Sequence, residues 1–595
     1  MKKILFTLAA LSLTSFSFAQ EFDFGGSDSG DFGGSIEESS APAVTISGEV
    51  GADARAWIGA ENKETGRYDT KAYDSFYDLS KTVLEPSAHA NIELNYAGDY
   101  TDANIKFKLN PSTLKTYHED IIDELSFGGS FREGKFQLRA GKMKEVWGKG
   151  DKVHVLDNFN ANDYTDFIFP DYIDRRISEV MFKATANLSW DYNIKLEGIF
   201  TPWMTADRFA DSGMLVPYAQ TKLTDTVKSI LKMQASTTYA SGDTDAIVNG
   251  IMGLSEFSTD SLYEDNIRTL KYAQGGARLT GTFGGIDWGA SYYYGHYKQP
   301  SANVQRYAVY SNSGSIKEGA WEKYKAGVVS KILSDAAAKA YLTNNSVDTT
   351  DPNAVYTAAY NAQAALGQTI YSEDQVKTSV GNQLTSNGYT LANALPSLNY
   401  DQLQVFGLEA AFVLWKLNTR WEFAYNLTED IAGDNPWVKN NSIAWVAGFD
   451  IDIPLHNLNL NVQEQGSYIL KNDKIENNKV TVGTLAGQPI EVPIGTADVD
   501  YNSDGKYTRN KIIVLLSDKW LNEKLTTEVQ GIYGIECQEF MVAPKIEYNV
   551  IEGLTFGLRG VYLFSDNVNG EFYNFTQNSE NHNKVFVELT AKYQF

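Results

Sequence analysis

The stretch that decides the fold is 584-KVFVELTAKYQF-595. Val585, Val587, Leu589, Ala591, Tyr593 and Phe595 share one parity, and Lys584, Glu588, Thr590, Lys592 and Gln594 share the other. Successive strand side chains point to opposite faces, so this segment is a strand with one apolar wall and one polar wall. Phe586 alone breaks the alternation. Such a strand fits the edge of a soluble sandwich as well as a membrane barrel, so the rest of the chain has to choose.

Outward from the C-terminus, the dyad pattern recurs in about eighteen segments. They lie near 44–58, 86–97, 102–110, 119–131, 135–144, 176–190, 192–203, 268–283, 286–297, 402–415, 419–427, 441–453, 457–470, 506–517, 523–536, 540–550, 553–565 and 583–595. Connections after even-numbered segments are short, as at 98–101, 132–134, 284–285 and 416–418. Most of those after odd-numbered segments are long: 59–85, 145–175, 204–267, 298–401 and 471–505. Short turns on one rim, long loops on the other and an even strand number are the plan of an outer-membrane barrel. A soluble sandwich or solenoid has no reason to alternate its loop lengths. The expectation is an all-β protein: a transmembrane antiparallel up-and-down β-barrel of about 18 strands over 44–595, with long, partly helical extracellular loops. Lipid offers no hydrogen-bond partners, so the last strand must pair with the first.

The N-terminal 1-MKKILFTLAALSLTSFSFAQ-20 reads as a signal peptide over 1–19: two lysines, a short apolar run, then Ser17-Phe18-Ala19. Residues 20–43 repeat DFGGS among Ser, Glu and Asp and read as a flexible acidic periplasmic tail. No apolar run reaches the eighteen residues of a membrane helix. One cysteine, Cys537, excludes an intramolecular disulfide. The 51 bases against 75 acids give a net charge of −24, which excludes a nucleic-acid partner.

Two stretches carry resemblances. The aromatic end, with Tyr593 and Phe595, resembles the C-terminal signal by which the barrel assembly machinery recognises outer-membrane barrels. In 139-RAGKMKEVWGKGDKVHVLDNFNANDYTDFIFPDYIDRR-176, the WGKGD turn at 147–151, Leu156-Asp157 and Asn162-Asp163-Tyr164 resemble a box of porin-like outer-membrane families. That resemblance implies passive passage of solutes, with this loop at the outer mouth.

Inward-facing charge marks the candidate pore lining. Early strands offer Arg55, Lys106, Lys108, Arg139, Lys183, Lys195 and Arg278; later ones offer Glu409, Glu422, Asp450, Asp452, Glu528 and Glu547, with Arg559 among the fewer bases. A basic wall facing an acidic wall would set a transverse field across the pore. The alternative is that these charges pair with neighbours and keep the lumen wet. From 132 to 152, Arg132, Lys135, Arg139, Lys142, Lys144, Lys149 and Lys152 outnumber the local acids, which suits anion capture at an entrance, lipid phosphate, or a solvated flank. Asp498, Asp500, Asn502 and Asp504 alternate before Gly505, an oxygen-ligand spacing compatible with Ca²⁺, although Ser503 and Arg509 depart from a calcium-loop pattern. No other cofactor is expected. Within 298–401, two amphipathic helical patterns are compatible with a cap, a lumen constriction or an external domain. Six scattered histidines and the absence of nucleophile, phosphate-loop or zinc motifs argue against an enzyme. The expected function is an outer-membrane channel for passive diffusion of small solutes, monomeric or homotrimeric, in contact with outer-membrane lipid. A barrel-displayed adhesin is the alternative, and a barrel hydrolase comes third.

Overall fold

The computed structural model describes residues 43–58, 61–62, 67–68, 83–210, 266–308, 313–386, 395–435, 438–477, 479–485, 488–493, 507–567, 569–576 and 585–595. Eighteen strands form one antiparallel sheet. They are β1 (Ala43–Trp57), β2 (Val83–Ala97), β3 (Thr101–Leu109), β4 (Ile122–Phe131), β5 (Phe136–Met143) and β6 (Glu179–Ser189). Next come β7 (Ile194–Thr201), β8 (Gln274–Phe283), β9 (Ile286–His296), β10 (Gln402–Leu414), β11 (Leu417–Thr428) and β12 (Ser442–Ile453). The last six are β13 (Leu458–Ile469), β14 (Thr508–Trp520), β15 (Leu525–Gly534), β16 (Glu539–Ile551), β17 (Leu554–Phe564) and β18 (Val585–Gln594). Each pairs with its sequence neighbour, and β1 pairs with β18 from Glu49↔Gln594 to Trp57↔Phe586. The sheet is closed.

The seam shows what the alternating C-terminal strand is for. Its backbone completes the ladder, with the Gly48 amide donating to the Phe595 carbonyl at 2.8 Å and the Phe595 amide returning to Gly48 at 2.9 Å. Leu589, Tyr593 and Phe595 lie exposed on the outside. Phe586, the exception to the alternation, points inward and is fully buried against Trp57 and Phe169, with ring centroids at 4.7 and 4.8 Å.

Phe127, Phe182, Leu408, Trp421, Leu558 and many like them form the outer surface, exposed in the isolated chain. A soluble fold would bury such a band; a barrel in lipid covers it with acyl chains. The two-residue hairpin β8–β9 turns on Gly284 and Gly285 at φ +60° and +79°, the left-handed pair that matches the twist of two paired strands. Among the described residues, no helix is long and apolar enough to cross a membrane.

The helical part of 298–401 is α1 (Ser313–Ser334), α2 (Ala336–Asn344), α3 (Pro352–Asn361) and α4 (Glu373–Ser386). Asp335 and Asp351 cap α2 and α3 through their carboxylates, and Pro352 opens α3 where its missing N–H costs nothing. The helices bury Trp321, Ile332, Leu342, Val355, Ala359 and Ile370 against one another, so this insertion has its own core. The candidate calcium residues Asp498, Asp500, Asn502 and Asp504, the signal segment 1–19 and the tail 20–42 lie outside the described residues.

Candidate functional site

Among the described residues, the connection between β5 and β6 crosses the lumen, and the helices α1–α4 pack on one another. Sequence reasoning placed the β5–β6 loop at the outer mouth; the structure adds that its side chains and amides reach wall residues far round the ring. Leaving β5, it meets Glu422 on β11 and then Gln463 and Asn461 on β13. On an 18-strand ring, β13 stands eight strands from β5, where nine is diametrically opposite. The loop then reaches Arg55 on β1 and Arg559 on β17 before rejoining the sheet at β6. It crosses the barrel.

The WGKGD turn is shaped around one carboxylate. Glu422 Oε1 accepts from the Gly150 amide at 2.7 Å and contacts His154 Nδ1 at 2.9 Å; Oε2 accepts from Val155 at 2.8 Å and Leu156 at 3.3 Å. A Cβ on Gly148 would stand 2.2 Å from Glu422 Oε1, and that glycine also holds φ +117°. A Cβ on Gly150 would stand 2.1 Å from the Val153 carbonyl. Both glycines are there because the backbone comes too close for any side chain. Burial disfavours a charged His154, yet the hydrogen bond and charge of Glu422 hold its imidazole above the usual range. Beyond the turn, Asp151 pairs with Arg420 at 2.8 Å and accepts from Asn461 at 2.7 Å. Trp147 donates to Glu197 at 2.7 Å.

The other box residues fold the loop on itself. Asp157 and Arg176 form an ion pair with both side chains 1% exposed, and the Tyr172 hydroxyl donates to Asp157 at 2.6 Å. Burial beside Asp157 pushes the Tyr172 phenol well up. Asn162 takes its place through its backbone N–H, which donates to Asp207 at 2.8 Å, and Asp163 turns the chain by accepting from Thr165. Two apolar clusters then fix the loop to the wall. Trp147, Leu156 and Phe159 pack with inward-facing Met143, Met181, Ile199, Tyr293, Leu403 and Val405. Phe167 and Phe169 pack with Trp57, Phe586, Leu563 and the Phe572–Phe575 segment.

The inward charges pair locally and do not form opposed walls. Arg55 binds Asp166 at 2.6 Å and Glu588 at 2.7 Å, and Glu588 also takes Arg559 at 2.7 Å. Arg139 meets Asp102 at 2.5 Å, Lys183 meets Glu145 and Glu197 at 2.7 and 2.8 Å, and Arg278 meets Glu409 at 2.5 Å. Lys106 lies 3.9 Å from Glu124, Lys545 3.0 Å from Glu547 and 4.0 Å from Glu528, and Arg420 also pairs with Asp450. Asp452 accepts from Asn459, and Lys108 donates to the Asp174 carbonyl. Lys195, among the described residues, has no carboxylate within ion-pair distance. Glu422 and Glu409 do not face open lumen, since the loop and Arg278 cover them. The basic run 132–152 also divides: Lys142 and Lys144 pair with Asp120 and Asp123, while Arg132 lies in a short β4–β5 turn on the opposite rim.

Closure on itself, an outward apolar band and a charged interior leave one environment for this fold. The chain is an outer-membrane β-barrel. No family model matches it, and no curated protein matches it. Among solved structures it is similar to the outer membrane channel DcaP of Acinetobacter baumannii, at 9% identity and TM-score 0.34, over 94% of this chain and 99% of that one. It is also similar to a BenF-like porin from Pseudomonas fluorescens Pf-5, at 8% identity and TM-score 0.37, over 92% and 98%. OccAB3 of Acinetobacter baumannii matches at 9% identity and TM-score 0.37, over 92% and 99%. These are likenesses of fold, and the architecture of this barrel rests on its own strand pairing.

Sequence reasoning missed the apolar residues that seat the loop: Trp57, Trp147, Leu156, Phe159, Phe167, Phe169, Leu403 and Val405. The signal was present. A loop rich in large aromatics has to find a core, and inward positions such as Phe586 and Trp57 broke polar parity where that core forms.

Proposed function

We propose that this barrel is a porin-like channel for passive diffusion of small solutes, with a path narrowed by the loop between β5 and β6. One observation carries the reading. Where the loop does not cover them, inward charged side chains stay about a third exposed inside a closed wall: Lys106 31%, Arg139 30% and Lys545 34%. Beneath the loop they do not: the Glu422 side chain is 0% exposed. The interior is therefore wet beside the loop, and charge in that space tunes which ions pass. The role is transport, not catalysis. Single-channel recording of the purified protein in planar bilayers tests it, and a silent barrel would favour a binding protein that displays the α1–α4 unit.

The accessible bases yield a sharper expectation than the buried ones. Neutralising Lys106, Arg139 and Lys545 together (K106Q, R139Q and K545Q) should shift the reversal potential in a salt gradient toward cation preference. Asp102 and Glu547 would then lose their cationic partners, and Glu124 would keep Lys144 alone of its two lysines. Screening acts over about 8 Å at physiological ionic strength, so the shift should grow as salt is lowered. An unchanged potential in a conducting channel would place these side chains off the ion path.

Tyr593 and Phe595 are proposed to serve as the signal for the barrel assembly machinery. Deleting Phe595, or replacing it by Asp (F595D), should leave the chain in the periplasm and reduce heat-modifiable barrel in outer-membrane fractions. Full yield of folded barrel would remove that role.

A further inference from the structure

We infer that Glu422 is a positioning residue that latches the constriction: its carboxylate holds residues 147–157 across the lumen, and its removal frees that half of the loop while the other half stays fixed. This rests on the channel reading above and goes beyond it, because it assigns the width of the path to one side chain.

Both halves of the loop pack apolar side chains against the wall, and the earlier half adds one carboxylate that receives several of its donors. The later half is fixed at the seam by Phe167 and Phe169 among Trp57, Phe572, Phe575 and Phe586, with Arg55 on Asp166 and Arg559 on the Phe169 carbonyl. The earlier half presents the amides of Gly150, Val155 and Leu156 and the His154 ring to one acceptor group. The Glu422 side chain is 0% exposed, and His154 3%, so water does not share those bonds. Buried donors without an acceptor are costly, whereas the same donors facing water are not. With the carboxylate gone, the loop recovers its hydrogen bonds most simply by leaving the wall. Gly148, where a Cβ would stand 2.2 Å from Glu422 Oε1, shows how closely the docked backbone fits this carboxylate. Other wall contacts of this half are Asp151 with Arg420 and Asn461, Gln463, the Trp147 indole on Glu197, and the packing of Trp147 and Leu156; they guide docking without satisfying those four donors.

The test uses a reporter cysteine, K149C, in a background where the buried Cys537 is replaced (C537S). Lys149 lies in the turn, half-buried, with no ion pair among the described residues. Adding Glu422→Ala should raise the rate of K149C modification by a charged, water-soluble thiol reagent roughly 100-fold, as expected for loss of a buried charged acceptor. Single-channel conductance should rise with it. Acetate at constant ionic strength should reverse both changes, since it supplies the missing carboxylate to the same amides; chloride should not. Should Glu422→Ala fail to assemble, Glu422→Gln keeps one acceptor oxygen and should show the same changes at about 10-fold. Labelling and conductance equal to the parent in a folded, conducting barrel would overturn the latch. A rise that acetate leaves untouched would also overturn it, because wall packing would then be the cause. Labelling that rises and responds to acetate in a barrel that never conducts would uphold the latch and reject the channel.

Discussion

Replacing Arg176 with methionine (R176M) should destabilise the lumen loop by about 3–5 kcal/mol, the usual cost of stripping one partner from a buried ion pair. The size comes from enclosure. Asp157 and Arg176 are each 1% exposed, and without the guanidinium Asp157 is left with the Tyr172 hydroxyl and the more distant charge of His154. Methionine preserves most of the stem volume, so the loss isolates charge and not packing. Adding Asp157→Asn should return much of the stability, because a neutral amide no longer needs a cation. Hydrogen exchange is the suitable measurement, since it reads the loop apart from the strands. Amides of 147–176 should exchange faster in R176M, those of β9–β13 should not, and the double variant should fall near the parent. A single variant with unchanged loop protection would mean that the aromatic clusters hold the loop without this pair.

The second large effect lies on the opposite face of the wall. Leu408 is the middle residue of β10, exposed outward and paired across the sheet with exposed Phe423 of β11. Leu408→Arg should cost about 2–4 kcal/mol, as a cation at the bilayer midplane does. Leu188 faces outward too, but it is the penultimate residue of β6, beside the short turn. There Leu188→Arg should cost only about 0–1 kcal/mol, because the arginine reaches the headgroups. In the lumen, Lys545→Ala removes a partly exposed ion pair and should cost at most about 1 kcal/mol. Urea unfolding in lipid vesicles would rank the three. Equal costs at positions 408 and 188 would place the hydrocarbon band elsewhere on the strands.

The barrel was legible because a strand in lipid obeys a local rule. Each segment carries its own parity, and each connection carries its own length, so eighteen strands, their order and the two rims can be counted without knowing any long-range contact. The closing pair β1–β18 followed from physics alone, since an open edge cannot exist in hydrocarbon. Residue by residue, the inward charges of β3, β5 and β8 were read from the same rule.

What occupies the lumen was not legible, because nothing local says where a loop goes. The 298–401 insertion showed helical periodicity and fitted three placements; only the tertiary structure shows its helices burying Trp321 and Ile332 among themselves. The WGKGD box was visible as a motif, but its meaning depends on Glu422, more than 260 residues away in sequence and adjacent only in the closed barrel. Glu422 and Lys106 look alike to a parity argument: both are inward-facing charges on a polar wall. One is sealed beneath a loop and the other is wet. That difference is a property of which backbone amides arrive from across the ring, and only the folded wall brings them together.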